Sequence, residues 1–247
     1  MKASPQAQLR LLELAEIDGE LGRIEHRRRG LPEHAEIARL EARDGELRDS
    51  IAALTASTSD LKREQAKAEA DVEQVRSRID RDTKRLDSGM VSSPRELENL
   101  QSEVASLQRR QSDLEEIVLD VMERREAAGA SLDQATNERA SAGQELSAVT
   151  AARDSALAEL AEQAGKAGDR RGAVVADIPA ELVDLYDRLR AQHGGVGAAA
   201  LRQGRCQGCN LTLNTVDLNA IRAAPADEVL RCEECRRILV RTAESGL

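Results

Sequence analysis

The chain has 247 residues, a formal charge of -9, 33% charged residues, no Phe, no Trp and a single tyrosine, Tyr186. A compact core of that size needs large apolar side chains, so the composition argues against one globular domain and for long helices that bury a narrow seam. The acidic balance argues against wholesale attraction to nucleic acid or an anionic membrane, and no apolar run approaches membrane-spanning length. Partners must therefore be sought in local features.

The N-terminal Met1-Lys2-Ala3-Ser4-Pro5 leads into charged helical sequence rather than an apolar segment, which is expected of a cytoplasmic protein. From Leu14 a seam steps through Ile17, Leu21, Ile24 and Leu31 in threes and fours, interrupted by Arg28. Gly30 and Pro32 then break it, and the pattern resumes at Ile37 in a shifted phase. A second segment runs from Ile37 to Leu86 and a third from Leu97 to Leu160, both with sustained heptads. Between them, Gly89 suits a left-handed helix cap, and Ser93-Pro94-Arg95-Glu96 supplies an N-cap serine, a first-turn proline and a capping-box glutamate. So short a connection predicts an antiparallel hairpin of roughly 80 Å. The distal part of its third helix is expected to pack on the first.

Four polar side chains interrupt the third seam: Gln111, Arg125, Arg139 and Arg153. A turn centred near Val91 places Arg139 opposite Asp44 and Arg125 opposite Thr58. Two readings stay open, namely buried pairs that lock the register or arginines that snorkel to solvent. Beyond them, Gly165 to Gly172 reads as the end of the stalk, and Ile178-Pro179 opens a short helix with Leu182, Leu185, Tyr186 and Leu189 on one face. Tyr186 is expected in the core. The cluster His193-Gly194-Gly195-Val196-Gly197 lacks the Lys-Ser/Thr of a phosphate loop and reads as a flexible connection.

The chemistry is concentrated in Cys206-Gln207-Gly208-Cys209 and Cys232-Glu233-Glu234-Cys235, a C-x2-C-x22-C-x2-C pattern. Paired spacing in a chain with no secretion signal favours metal ligation over disulfides. Each pair can hold one side of a tetrahedral Zn²⁺, with turn amides donating to sulfur and Gly208 suiting the tight turn. Four thiolates leave no open coordination position, so the one expected zinc ion is structural, and its complex carries a formal charge that Arg205, Arg231, Arg236 and Arg237 can offset. Asn210 to Asn214 and Arg237 to Arg241 alternate like strands, and Val216 to Ala223 reads as one or two helical turns.

Arg202, Arg205, Arg231, Arg236 and Arg237, together with Arg222 and Arg241, are candidate phosphate contacts. The same segment carries Asp217, Asp227, Glu228, Glu233, Glu234 and Glu244 and no aromatic for stacking. Protein contact is the favoured reading and nucleic-acid binding the alternative. Met90 and Val91 at the hairpin tip are candidate protein contacts, or simply cover the last seam layer. No catalytic residues are assigned, because His26, His34 and His193 stand apart from any nucleophile or acidic pair.

Taken together, Ser93-Pro94-Arg95-Glu96-Leu97-Glu98-Asn99-Leu100, Cys206-Gln207-Gly208-Cys209 and Cys232-Glu233-Glu234-Cys235-Arg236-Arg237-Ile238-Leu239 resemble the bacterial coiled-coil proteins with a C-terminal C4-type zinc ribbon. Relatives commonly carry Gly after the last cysteine, where this sequence has Arg236. The resemblance implies an adaptor; some relatives are linked to flagellar or type III secretion assembly, to the enhancer-dependent alternative sigma factor, and to messenger RNA. The expected architecture is mainly α, with a helical hairpin over 1–168 (break at 30–32, turn at 88–94), a linker over 169–177, and a short helix plus zinc ribbon over 178–247. The expected function is a non-enzymatic scaffold with protein partners and no small-molecule substrate. A hairpin that satisfies its own seam can still pair laterally, so a homodimer is compatible with the pattern.

Overall fold

A computed structural model describes residues 1–89, 91 and 93–247. Among the described residues nine elements follow one another: α1 (Pro5–Arg29), α2 (Pro32–Asp87), α3 (Pro94–Ala176), α4 (Ala180–Gln192), β1 (Ala198–Arg202), β2 (Arg205–Cys206), α5 (Thr215–Ala223), β3 (Leu230–Arg231) and β4 (Ile238–Val240). No described helix is long and apolar enough to cross a membrane.

The chain divides into two compact units, Ala35–Val149 and Met1–His34 with Thr150–Leu247. In the first, α2 and α3 form the antiparallel hairpin. Leu47, Leu61 and Ala68 of α2 and Leu100, Leu114, Val121, Ala135 and Ala142 of α3 are buried at whole-heptad spacings, which keeps one narrow stripe of each helix facing the other. Ion pairs mark the register: Arg43–Glu138 at 2.8 Å, Arg85–Glu96 at 2.9 Å, and Arg78–Glu103 between them. In all three, each step back along α2 is matched by an equal step forward along α3, so the register never slips. At the turn Gly89 takes φ 68°, the left-handed cap the sequence predicts. Val91 is half-buried; Met90, the other tip candidate, lies outside the described residues.

Arg139 meets Asp44 as the register requires, Nε to Oδ1 at 2.8 Å. Their side chains keep 43% and 31% of their exposure, so the arginine both pairs and reaches solvent. Arg125 is exposed, and Thr58 instead donates its hydroxyl to the Leu54 carbonyl at 2.8 Å. The Arg139 hydrogen bond holds the Asp44 carboxyl below its ordinary range, yet water screens so open a pair. Asp44→Ala is accordingly expected to leave the thermal midpoint of the hairpin essentially unmoved in a circular-dichroism melt.

The second unit gathers both chain ends. Leu11, Leu14, Ala15 and Ile17 of α1, Ala167 and Val174 of α3, Leu182, Tyr186 and Leu189 of α4, and Ala198, Ile238 and Val240 of the sheet form one core. Its organisation differs from the sequence expectation at one point. The expected linker at 169–177 is helix as far as Ala176, because Ala167 and Val174 are buried against α1 and that packing outweighs the helix cost of Gly165, Gly168 and Gly172. Ala167 and Val174 of the distal α3 pack with Leu11, Leu14 and Ile17 of α1, as expected, and α4 and the sheet complete the same core.

The sheet order is β2-β1-β4-β3, with β1 parallel to β4 and the other pairs antiparallel. Residues 210–214, expected as a strand, contribute a single bridge of Thr212 to Arg205. Asn210 is left-handed at φ 61°, and the Asn214 side chain accepts the Asp217 N–H as the cap of α5, so both ends turn away from extended pairing. The chain start is tied to the same sheet region: Lys2 bridges Glu228 antiparallel, with Ala3 N–H on the Asp227 carbonyl at 2.8 Å.

Candidate metal centre

Cys206 closes β2, Cys209 follows in the turn, and Cys232 and Cys235 lie between β3 and β4. All four Sγ atoms fall within 4.8 Å of one another. Cys206 and Cys235 are 3.9 Å apart and Cys209 and Cys232 4.0 Å apart. Four sulfurs about 2.3 Å from one tetrahedral ion stand about 3.8 Å from each other, so these two pairs sit close to the edge length of a Zn²⁺ tetrahedron, with the other separations no longer than 4.8 Å. The centre fits one structural zinc ion, saturated by thiolates.

The two knuckles are built identically. In one, Asn210 N–H donates to the Cys206 carbonyl at 2.8 Å and Cys206 N–H to the Leu211 carbonyl at 3.0 Å. In the other, Arg236 N–H donates to the Cys232 carbonyl at 2.8 Å and Cys232 N–H to the Arg237 carbonyl at 2.9 Å. The residue after the second cysteine is left-handed in both, Asn210 at φ 61° and Arg236 at φ 60°. That geometry explains why glycine is common after the last cysteine of relatives. Asn tolerates the region; Arg pays for its Cβ there. Arg236→Gly should therefore stabilise the zinc-loaded ribbon by about 1 kcal/mol, and an unchanged or lowered unfolding midpoint would show that the backbone is not strained.

Gly208 is required for a different reason from the one its motif suggests. A Cβ there would lie 2.9 Å from Arg237 Cδ and 3.0 Å from Ala199 Cβ, so room rather than positive φ excludes a side chain. Its N–H donates to the Cys206 sulfur at 3.4 Å. Without metal, burial pushes the Cys206 thiol up to about 12. Burial raises Cys235 too, but donors from Arg237 outweigh it and bring that thiol down to about 7. Cys206 thus holds its proton at neutral pH until a metal displaces it, and zinc affinity should climb with pH and be lost as the solution is acidified.

The predicted arginines serve unlike ends. Arg237 donates to the carbonyls of Val196 at 3.0 Å, Gly208 at 3.2 Å and His193 at 2.9 Å, tying the knuckle to the loop before β1. Arg202 pairs with Glu244 at 2.5 Å and Arg236 with Glu233 at 3.2 Å. Arg231 donates to the Arg236 carbonyl at 2.9 Å. Arg205 is exposed, with no carboxylate in reach among the described residues. Arg241, a candidate phosphate contact in the sequence, instead donates to the carbonyls of Ile221 at 3.2 Å, Ala224 at 2.7 Å and Pro225, so that it ties α5 to β4. Nothing in its local pattern marks that role, since its acceptors lie 16 to 20 residues away.

A two-helix coiled-coil hairpin with a four-cysteine zinc ribbon is the class these features define. Residues 14–194 match the CT398-like coiled coil hairpin domain and residues 205–239 the C4-type zinc ribbon domain. The chain belongs to the CT398-like coiled-coil hairpin family. Protein Rv2229c of Mycobacterium tuberculosis is 39% identical over 241 residues, 98% of each chain. A solved structure from Mycobacterium smegmatis is 39% identical, with a TM-score of 0.82 over 98% of this chain and 100% of that one. CT398 from Chlamydia trachomatis, 19% identical, shares the fold at a TM-score of 0.71 over 96% of this chain and 98% of its own.

Proposed function

We propose that the protein is an adaptor that binds protein partners through the hairpin and the ribbon, with zinc holding the ribbon in shape. The observation that carries this reading is the fate of the ribbon's arginines. Arg202 and Arg236 are neutralised by carboxylates, and Arg237 and Arg241 are spent on backbone carbonyls. A phosphate-binding surface needs unpaired cations in a row. Leu211 and Val216, by contrast, stand 50% and 77% exposed beside the first knuckle, apolar surface of the kind a protein partner covers. Contacts at the tip fall to Val91 and Met90. The alternative, nucleic-acid binding, rests on Arg205 and Arg231.

Titration of labelled RNA and DNA into the zinc-loaded protein at two salt concentrations separates these readings. Phosphate contact makes affinity fall with salt and with Arg205→Ala and Arg231→Ala, which would overturn the adaptor reading. Partners captured by the wild-type chain and lost with Val91→Asp or Leu211→Asp, without salt-dependent nucleic-acid binding, would support it.

A further inference from the structure

The cluster His193-Gly194-Gly195-Val196-Gly197 is not absorbed by the metal centre, and the structure gives it a second setting. Gly197 meets a fixed demand: a Cβ there would lie 2.3 Å from the Tyr186 carbonyl oxygen, so the loop runs hard against α4. Gly194 and Gly195, at φ 70° and 105°, turn the chain away from it. With Val196 they form one wall of a cleft of about 430 Å³ whose other wall is α1, at Gly19, Gly22, Arg23, His26 and Arg27.

The hydrogen-bonding groups of this cleft are unbalanced. Asp18 is the acidic residue lining it, and both of its oxygens are occupied: Oδ2 accepts the Tyr186 hydroxyl at 2.8 Å, while Oδ1 accepts Arg171 Nε at 2.9 Å and lies 3.2 Å from Arg190 Nη2. The Val196 carbonyl is taken by Arg237 at 3.0 Å. The donors are left over. Among the described residues, neither Arg23 nor Arg27 has a carboxylate within 4.0 Å; the neighbouring acids are paired elsewhere, Glu20 with Arg170 at 2.8 Å and Glu25 with Arg28 and Arg29 at 3.3 and 2.8 Å. The N–H groups of Gly194 and Val196 likewise have no protein acceptor, whereas that of Gly195 is bonded to the Arg190 carbonyl at 3.0 Å. Arg171 and Arg190 balance Asp18 and Asp187, so Arg23 and Arg27 leave a local positive excess in a chain of charge -9.

We infer that this cleft is an anion-binding site for a phosphate group, held by the Arg23 and Arg27 guanidiniums against the glycine-loop backbone. Two guanidiniums beside backbone N–H donors are the groups that recognise phosphate oxygens, and the volume suits a phosphorylated small molecule as well as the free ion. The site is independent of the adaptor reading, because none of its residues belongs to the ribbon arginines or the hairpin tip.

Isothermal titration of the full-length, zinc-loaded protein with inorganic phosphate, AMP and ATP in low-salt chloride buffer tests it. One saturable site is expected, with affinity falling about tenfold for each guanidinium removed in Arg23→Ala and Arg27→Ala. Equal affinity for phosphate and nucleotides assigns the free ion; tighter nucleotide binding assigns the phosphorylated small molecule. Gly22→Leu makes the test independent of folding. A Cβ at Gly22 meets nothing within 4 Å, so the substitution should raise helix stability while its side chain fills the cleft and blocks binding. The inference falls if no anion binds saturably, or if affinity survives both Arg23→Ala/Arg27→Ala and Gly22→Leu.

Discussion

Cys232→Ser, or zinc removal by a strong chelator, is expected to unfold the ribbon and to loosen α1 and α4 with it, while residues 35–149 keep their helicity. The ribbon proper has little else to stand on. Its own core is Ala199, Leu201, Leu213, Ile221 and Leu239 with the cysteines, and it has no aromatic side chain. Strands of two and three residues cannot offset chain entropy alone. Bound zinc supplies on the order of 10 kcal/mol to such sites at neutral pH, and removing one thiolate forfeits most of that. The consequence for α1 and α4 follows from the sheet, because Ala198, Ile238 and Val240 contribute to the core that holds Leu11, Leu14 and Tyr186. Tyr186 is the lone aromatic residue, so its near-ultraviolet circular dichroism reports this unit alone. The expected record is loss of that signal on chelation, deprotection of amides in 1–34 and 178–247 by hydrogen exchange, and retained protection in 35–149. Retained Tyr186 signal with lost zinc would mean that the core of α1 and α4 stands without the metal.

Much of the architecture is written in patterns that need no tertiary knowledge. Heptads give α2 and α3, Gly89 and Ser93-Pro94 give the turn, and the two C-x2-C pairs give the metal centre, because each depends on residues close in sequence. The register also follows once the turn is placed, which is how Arg139 finds Asp44. What the patterns conceal is set by distant contacts. Ala198-Ala199-Ala200 has the composition of a helix, and it becomes β1 because Gly197 packs on Tyr186 and β4 offers a parallel partner. The glycines at 165, 168 and 172 look like a helix end, yet α1 buries Ala167 among them and Val174 just beyond. Asp18 reads as one more charge on a solvated helix face. Its one hint is position: it lies four residues after Leu14 and three before Leu21, on the apolar stripe.

Asp18 is also where one substitution should cost most outside the metal centre. Its side chain has no exposure, and it joins three elements: Tyr186 and Arg190 of α4 and Arg171 of α3 converge on it from α1. Asp18→Ala leaves two guanidiniums and a phenol facing a vacated apolar site. Breaking a buried pair from one side costs about 3–5 kcal/mol, and the lower end is expected because Arg171 and Arg190 keep 23% and 33% of their exposure. Tyr186→Phe should cost about 1.5 kcal/mol, the loss of one donor to a buried carboxylate. Burial, reinforced by Asp18, pushes the Tyr186 phenol upward, so it stays a donor throughout the range in which the protein is handled. Urea unfolding followed by far-ultraviolet circular dichroism gives both values, and the double variant measures their coupling. If Tyr186 acts through Asp18, its replacement in the Asp18→Ala background should cost far less than in the wild type. Additive losses would instead make Tyr186 an apolar spacer and reduce Asp18 to an ion pair with the two arginines.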